Sequence, residues 1–241
     1  MILITRPKKD SYELQQKLKK IKIDSLVQEL SSFKISKSRL DLSNSIILIT
    51  STRSIDYLVK SKTLETCKKS KFLVIGKTTS MRLRQLGCKR IIVSASNSKE
   101  LLKKTKLILK KKDTIKFLCS NIFNKELLKS LRKLKYNVVL YIAYETLAIK
   151  KLKKSVVRNL KQDKIVAAIF FSQFSLSIFI KLCKTENIKN STLKKLHYLC
   201  ISKRVAYQAT QLGYKVHLSK EPTKDSIFKL MKSILPKYKN I

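Results

Sequence analysis

Phe72-Leu-Val-Ile-Gly-Lys-Thr-Thr-Ser-Met-Arg-Leu-Arg-Gln-Leu-Gly87 aligns without gaps with Tyr198-Leu-Cys-Ile-Ser-Lys-Arg-Val-Ala-Tyr-Gln-Ala-Thr-Gln-Leu-Gly213. Each stretch opens on a short apolar run of the kind that suits a buried strand. Each then turns through small polar residues, continues in a helical pattern and stops at a glycine. Glycine is the usual residue past a helix end because it takes φ > 0 without a Cβ clash. Another apolar run follows each stop, Arg90-Ile-Ile-Val93 and Val216-His-Leu218. Upstream, Ile46-Ile-Leu-Ile-Thr-Ser51 precedes the first copy and Ala167-Ala-Ile-Phe-Phe-Ser172 the second. Both read as strands ending in a serine placed to cap the next helix. The chain is therefore expected to hold two similar α/β halves, a two-fold duplication and not a solenoid of short repeats.

The remaining segments fit that pattern. Ile2 to Thr5 reads as a strand, and Asp10-Ser-Tyr-Glu13 as a capping box ahead of Leu14, Leu18 and Ile21 at helical spacing. Asn124 is placed to cap a helix whose apolar face is Leu127, Leu128, Leu131 and Leu134. Ile115 to Cys119 and Asn137 to Leu140 flank it as strands. Strands and helices alternating in this way imply parallel sheets covered on both faces, with ligand sites at the carboxyl ends of the strands.

The 241 residues are 44% hydrophobic, enough for one large or two small cored domains. No apolar run approaches the roughly 20 residues of a membrane-spanning helix. The opening Met-Ile-Leu-Ile-Thr-Arg-Pro puts its basic residue after the apolar run, the reverse of a signal peptide, so a cytoplasmic protein is expected. The five cysteines (Cys67, Cys88, Cys119, Cys183 and Cys200) form no Cys-x-x-Cys. Neither His197 nor His217 has a cysteine at ligand spacing. Small buried thiols are expected, with no metal and no disulfide scaffold. The net charge of +40 would attract any polyanion, but the lysines are spread along the whole chain. They travel with many Ile and Asn residues, which makes genomic codon bias the plainer source of most of the charge.

Several segments, in order, resemble the uroporphyrinogen-III synthase family. They are Leu3-Ile-Thr-Arg-Pro7, Ile49-Thr-Ser-Thr-Arg-Ser-Ile55, Val74-Ile-Gly-Lys-Thr-Thr-Ser80 and Val139-Leu-Tyr-Ile-Ala-Tyr-Glu-Thr146. Phe170-Phe-Ser172, Ile201 to Gly213 and Glu221-Pro-Thr223 continue the series. Each motif alone is weak; the ordered set over nearly the whole chain is specific. Three places depart from the family pattern. Its second Gly-x-x-Thr-Thr-Ala turn reads Ser202-Lys-Arg-Val-Ala206, an Arg-Gly reads Cys119-Ser120, and a Pro-Ser reads Gln173-Phe174.

The resemblance implies two flavodoxin-like parallel-sheet domains joined by a two-stranded linker, with the ligand cleft between them. Residues 1–31 plus 149–241 would form domain one and 36–143 domain two, with linker strands at about 31–35 and 143–149. It implies a monomer without cofactor that closes hydroxymethylbilane, a carboxylate-rich linear tetrapyrrole, to uroporphyrinogen III. Water is lost and ring D is inverted in the closure. Such chemistry needs a folded, oriented substrate more than covalent help. Strand-to-helix turns suit this, because helix N-termini offer backbone N–H groups and partial positive charge to carboxylates. The residues carried over as substrate-binding are Thr50, Ser51, Arg53, Gly76, Lys77, Thr78, Thr79, Ser172, Ser202 and Lys203. Arg204 and Arg6 stand beside them as further basic groups. Tyr144 takes the place of the family tyrosine thought to assist departure of the hydroxyl as acid or hydrogen-bond donor. Two other readings stay open on sequence alone: a basic α/β protein that holds nucleic acid, and a homologue that keeps the fold without the activity.

Overall fold

The computed structural model describes residues 1–234, apart from the side chains at 8–10 and 224. In chain order the elements are β1 (Ile2–Ile4), α1 (Lys8–Lys20), β2 (Ser25–Val27), β3 (Ser31–Ile35), β4 (Ile46–Ile49), α2 (Thr52–Lys60), α3 (Leu64–Cys67), β5 (Lys71–Ile75), α4 (Lys77–Gln85), β6 (Ile91–Ala95) and α5 (Ser98–Ile108). Then come β7 (Thr114–Ser120), α6 (Lys125–Lys133), β8 (Asn137–Ala148), α7 (Lys154–Lys161), β9 (Ala167–Phe170), α8 (Gln173–Thr185), α9 (Asn190–Lys195), β10 (His197–Cys200), α10 (Lys203–Gln211), β11 (Lys215–Leu218) and α11 (Lys224–Ile234). The chain divides into two compact units, Met1–Ser32 with Ala148 onward, and Phe33–Leu147.

The first unit carries a five-stranded sheet in the order β11-β10-β9-β1-β2, parallel throughout. Counted within the unit, this is the flavodoxin order 2-1-3-4-5, which reverses direction between β1 and β9. The second carries six strands in the order β3-β8-β7-β4-β5-β6. Its parallel part, read from β6 to β8, is 3-2-1-4-5, and the order reverses between β4 and β7. The strand β3 lies outermost, beside β8. The aligned segments occupy matching places: β9-β10-β11 and β4-β5-β6 each run outward from the reversal to one edge.

Each sheet is buried on both faces, and the side chains divide with the two-residue period of a strand. In β1, Ile2 and Ile4 join a cluster with Leu14, Leu18, Ile227 and Met231. Leu3 points the other way, into a cluster with Phe170, Phe179, Tyr198 and Val156. In β4, Ile47 and Ile49 pack with Phe72, Val74 and Tyr57, while Leu48 packs with Leu73, Phe117 and Leu131. All five cysteines are buried free thiols, and burial pushes Cys67, Cys119, Cys183 and Cys200 up to about 12. The two histidines meet across β10 and β11, His197 Nδ1 lying 2.7 Å from His217 Nε2. Burial, then His217 and Lys215, hold His197 below its ordinary value.

Helix ends follow local chemistry. Ser51 accepts from the Arg53 N–H, Ser172 from Ser175 and Asn124 from Leu127, as their positions before each helix predict. The Thr223 hydroxyl accepts from the Ser226 N–H at the start of α11. At α1 the helix begins at Lys8, not at Asp10, whose side chain lies outside the described residues. Gly87 and Gly213 end α4 and α10 in left-handed conformations.

Five other helices end the same way without glycine, on Lys22, Lys62, Lys135, Asp163 and Asn187. At α6, the Tyr136 N–H bonds the Leu131 carbonyl and the Lys135 N–H the Arg132 carbonyl, the paired bonds of a Schellman stop. Lys135 has φ 64° and is exposed. A side chain there costs roughly 1–2 kcal/mol relative to glycine, partly offset by glycine's greater freedom in the unfolded chain. Lys135→Gly is expected to stabilise the protein by about 1 kcal/mol. The urea midpoint should rise at unchanged slope, and a fall would show that the lysine makes a stabilising contact.

Candidate active site

Register places the expected residues of the second unit along one edge of its sheet. Ile49 pairs with Val74 and with Leu118, and Leu118 with Tyr141. Thr50 and Ser51 follow Ile49, and Gly76 and Lys77 follow Ile75, so both turns leave the carboxyl edge. On β8, Tyr144 pairs with Ser120, just past a shift in register between Cys119 and Ser120. Such irregularities re-aim a strand and are common beside active sites. Tyr144 thus reaches the edge where Ser51 and Gly76 stand, and Ser51 lies at the reversal of strand order, the usual ligand position. The ring of Tyr144 is buried at 8% exposure and meets Phe33 in a T-shaped contact, 6.0 Å between centroids.

The two turns differ in how their helices are capped. The Ser51 oxygen accepts from the Arg53 N–H at 3.2 Å, which leaves the serine O–H proton free to donate elsewhere. Before α4 stands Gly76 at φ 97°, so the first N–H groups of that helix have no side-chain cap. Lys77 and Thr78 are exposed at this turn, whereas Thr79 is buried beneath it.

In the first unit, the carboxyl ends of β1, β9 and β10 lead into Thr5-Arg6, Phe171-Ser172 and Ile201-Ser202. Arg6 and Ser172 flank the reversal between β1 and β9, and the Arg6 guanidinium lies 4.4 Å above the Phe171 ring. The hydroxyls of Ser172 and Ser175 are 2.8 Å apart. Ser202 opens α10 without a side-chain cap bond, and Lys203 and Arg204 are exposed behind it. So α4 and α10, at matching places in the two halves, both begin without a side-chain cap, while α2 and α8, at the other matching pair, are capped by serine. A separate groove of about 760 Å³, lined by Lys154, Arg158, Lys161 and Glu186 among others, holds none of these residues.

The model described as uroporphyrinogen-III synthase HemD (HEM4) matches residues 21–229. The chain belongs to the uroporphyrinogen-III synthase family. Members of this family are cyclising lyases of tetrapyrrole biosynthesis. The fold agrees. The uroporphyrinogen-III synthetase of Helicobacter pylori 26695 superposes with a TM-score of 0.66 at 17% identity, covering 97% of this chain and 98% of that one. A mutant uroporphyrinogen III synthase of the extremely thermophilic bacterium Thermus thermophilus gives 0.62 at 14% identity, covering 98% and 99%. No curated protein matches by sequence. Membership in the family sets aside the nucleic-acid reading of the charge.

The structure adds three residues that sequence reasoning passed over: Phe33, Asp56 and Arg82. Phe33 carries the Arg53 guanidinium at 4.6 Å on its face and meets Tyr144 edge-on. Asp56 holds Arg53 and Arg82 together. In sequence, Arg82 is one basic residue among 55, and no local pattern marks it out.

Proposed function

We propose that the chain cyclises hydroxymethylbilane to uroporphyrinogen III, with Tyr144 assisting departure of the hydroxyl. The observation that carries this reading is the meeting of Ser51, Gly76 and Tyr144 at one sheet edge in a member of this family. The Tyr144 O–H would donate to the leaving hydroxyl, which departs as water and leaves an electrophilic methylene carbon on the terminal ring. The substituted carbon of ring D attacks that methylene to give a spiro intermediate. Its bond to the methylene from ring C then breaks, that methylene rejoins ring D at the free α-carbon, and the proton lost there restores the tyrosine, so ring D ends inverted. Backbone N–H groups opening α4 and α10, with the Ser51 and Ser172 hydroxyls, would receive substrate carboxylates. Arg53, Lys77, Lys203 and the exposed Thr78 would add to that reception. Thr79, being buried, would act by supporting the turn. Thr50 and Ser202 would serve through their places in the turns. The altered turn at Ser202 keeps its backbone donors and gains cations, which favours an active enzyme over a silent homologue. We place it in the cytoplasm as a monomer, in line with its membership in a family of tetrapyrrole-biosynthesis enzymes.

Purified protein incubated with hydroxymethylbilane is expected to yield the type III isomer faster than spontaneous closure. Chromatography of the oxidised products separates the isomers. Type I alone at the spontaneous rate would overturn the assignment.

A further inference from the structure

Asp56 is an unusual acid in this chain. Acidic residues number 15 against 55 basic ones, yet this one is enclosed by two guanidinium groups, with its side chain 21% exposed. Its two oxygens are divided between them. Oδ1 accepts from Arg82 Nη2 at 2.6 Å, and Oδ2 from Arg53 Nη1 at 3.4 Å. Arg82 also donates from Nη1 to the carbonyl of Thr52, the first residue of α2, at 3.4 Å. Arg82, from the last turn of α4, therefore ties that helix to Asp56 and to the Thr52 carbonyl at the start of α2, the two helices that leave the candidate edge. Arg53 is meanwhile laid on Phe33, which itself packs against Tyr144.

Stability alone explains this arrangement poorly. The guanidinium side chains are 29% and 38% exposed, and ion pairs in that setting contribute roughly 0–1 kcal/mol. Two guanidiniums on one carboxylate leave a net positive charge at the edge, with planar N–H forks fixed in direction. A fixed fork matches a carboxylate in a way a flexible lysine cannot. We infer that Asp56 is a positioning residue that presents Arg53 and Arg82 together to one carboxylate of the substrate, and that Arg82 is a substrate-binding residue. This rests on the synthase reading above.

The test compares wild type with Asp56→Asn, Arg82→Gln and Arg82→Lys, using hydroxymethylbilane as substrate. KM, kcat, the ratio of type III to type I product and the melting temperature are read for each. Asp56→Asn and Arg82→Gln are expected to raise KM about tenfold, the loss of a charge-assisted bond. The type III share should fall at low substrate, with a smaller change in kcat. Arg82→Lys should recover only part of the loss, because it keeps the charge and loses the fork. Unchanged KM and isomer ratio in both Arg82 variants, with wild type making type III, would overturn this inference alone and leave a helix–helix tie. A drop in melting temperature with no change in KM would do the same. If Asp56→Asn does not fold, the two Arg82 variants decide by the same criterion. Wild type yielding only type I would overturn the synthase reading and this inference together.

Discussion

Tyr144→Phe is expected to lower kcat by about 100-fold or more, while the protein stays folded. The substitution removes one oxygen and keeps the ring, so the edge contact with Phe33 and the packing beside Ala143 and Leu118 persist. Stability should change by no more than about 1 kcal/mol, the net worth of one hydrogen bond. Turnover should change far more. Hydroxide is a poor leaving group, and a positioned acid contributes typically 10²–10⁴-fold to such a step. On the proposed reading, the turns at Ser51 and Gly76 orient the substrate and this hydroxyl does not, so the residual product should remain type III and KM should move little. Single-turnover kinetics on the variant give the chemical step directly. A rate equal to wild type would take Tyr144 out of the chemistry and leave it a packing residue.

Phe170→Ala is expected to cost roughly 3–5 kcal/mol, as truncation of a fully buried phenylalanine does. Phe170 has no exposed surface. Its ring stacks on Tyr198 at 5.5 Å and tilts against Phe179 at 5.3 Å, and Tyr198 stacks in turn on Tyr214 at 4.4 Å. Removing it opens a cavity between β9, α8 and β10 that the neighbouring rings are too rigid to fill. The loss is a large share of the roughly 5–15 kcal/mol that ordinarily separates native from unfolded chains. Ser172 follows two residues later, so the turn it caps should loosen with the core. Urea unfolding followed by near-ultraviolet circular dichroism reads the tyrosine environment directly. A midpoint unchanged from wild type would contradict the aromatic stack as a stabilising core.

Much of the fold could be read locally because the signals were local. Ser51 and Ser172 before apolar helical patterns announced caps, and the caps are there, since a serine oxygen satisfies a nearby N–H whatever the rest of the chain does. Gly87 and Gly213 announced helix ends for the same reason. The helix ends at Lys22, Lys62 and Lys135 gave no such signal, because there the chain accepts a strained backbone where glycine would relieve it. The strand recognised at Asn137 to Leu140 runs on without a break to Ala148, over the stretch where a separate linker strand was expected.

The candidate site divides in the same way. The turns at 50–51, 76–79, 172 and 202–203, and the tyrosine at 144, are legible as ordered motifs, because each is a short segment whose chemistry is carried by adjacent residues. The partnership of Asp56 with Arg53 and Arg82 is only half legible. The pair 53 and 56 is one helical turn apart, but Arg82 comes from another helix. By itself, then, the sequence determined the repeated strand-turn-helix units, their caps and the family to which they belong. The tertiary structure alone decided the strand orders 2-1-3-4-5 and 3-2-1-4-5, and so which turns flank each reversal. It also decided that His197 meets His217 and that one aspartate holds two arginines. Capping and helix termination act over a few residues. Strand order and ion pairing between helices depend on how distant segments bury their apolar faces together, which no local window contains.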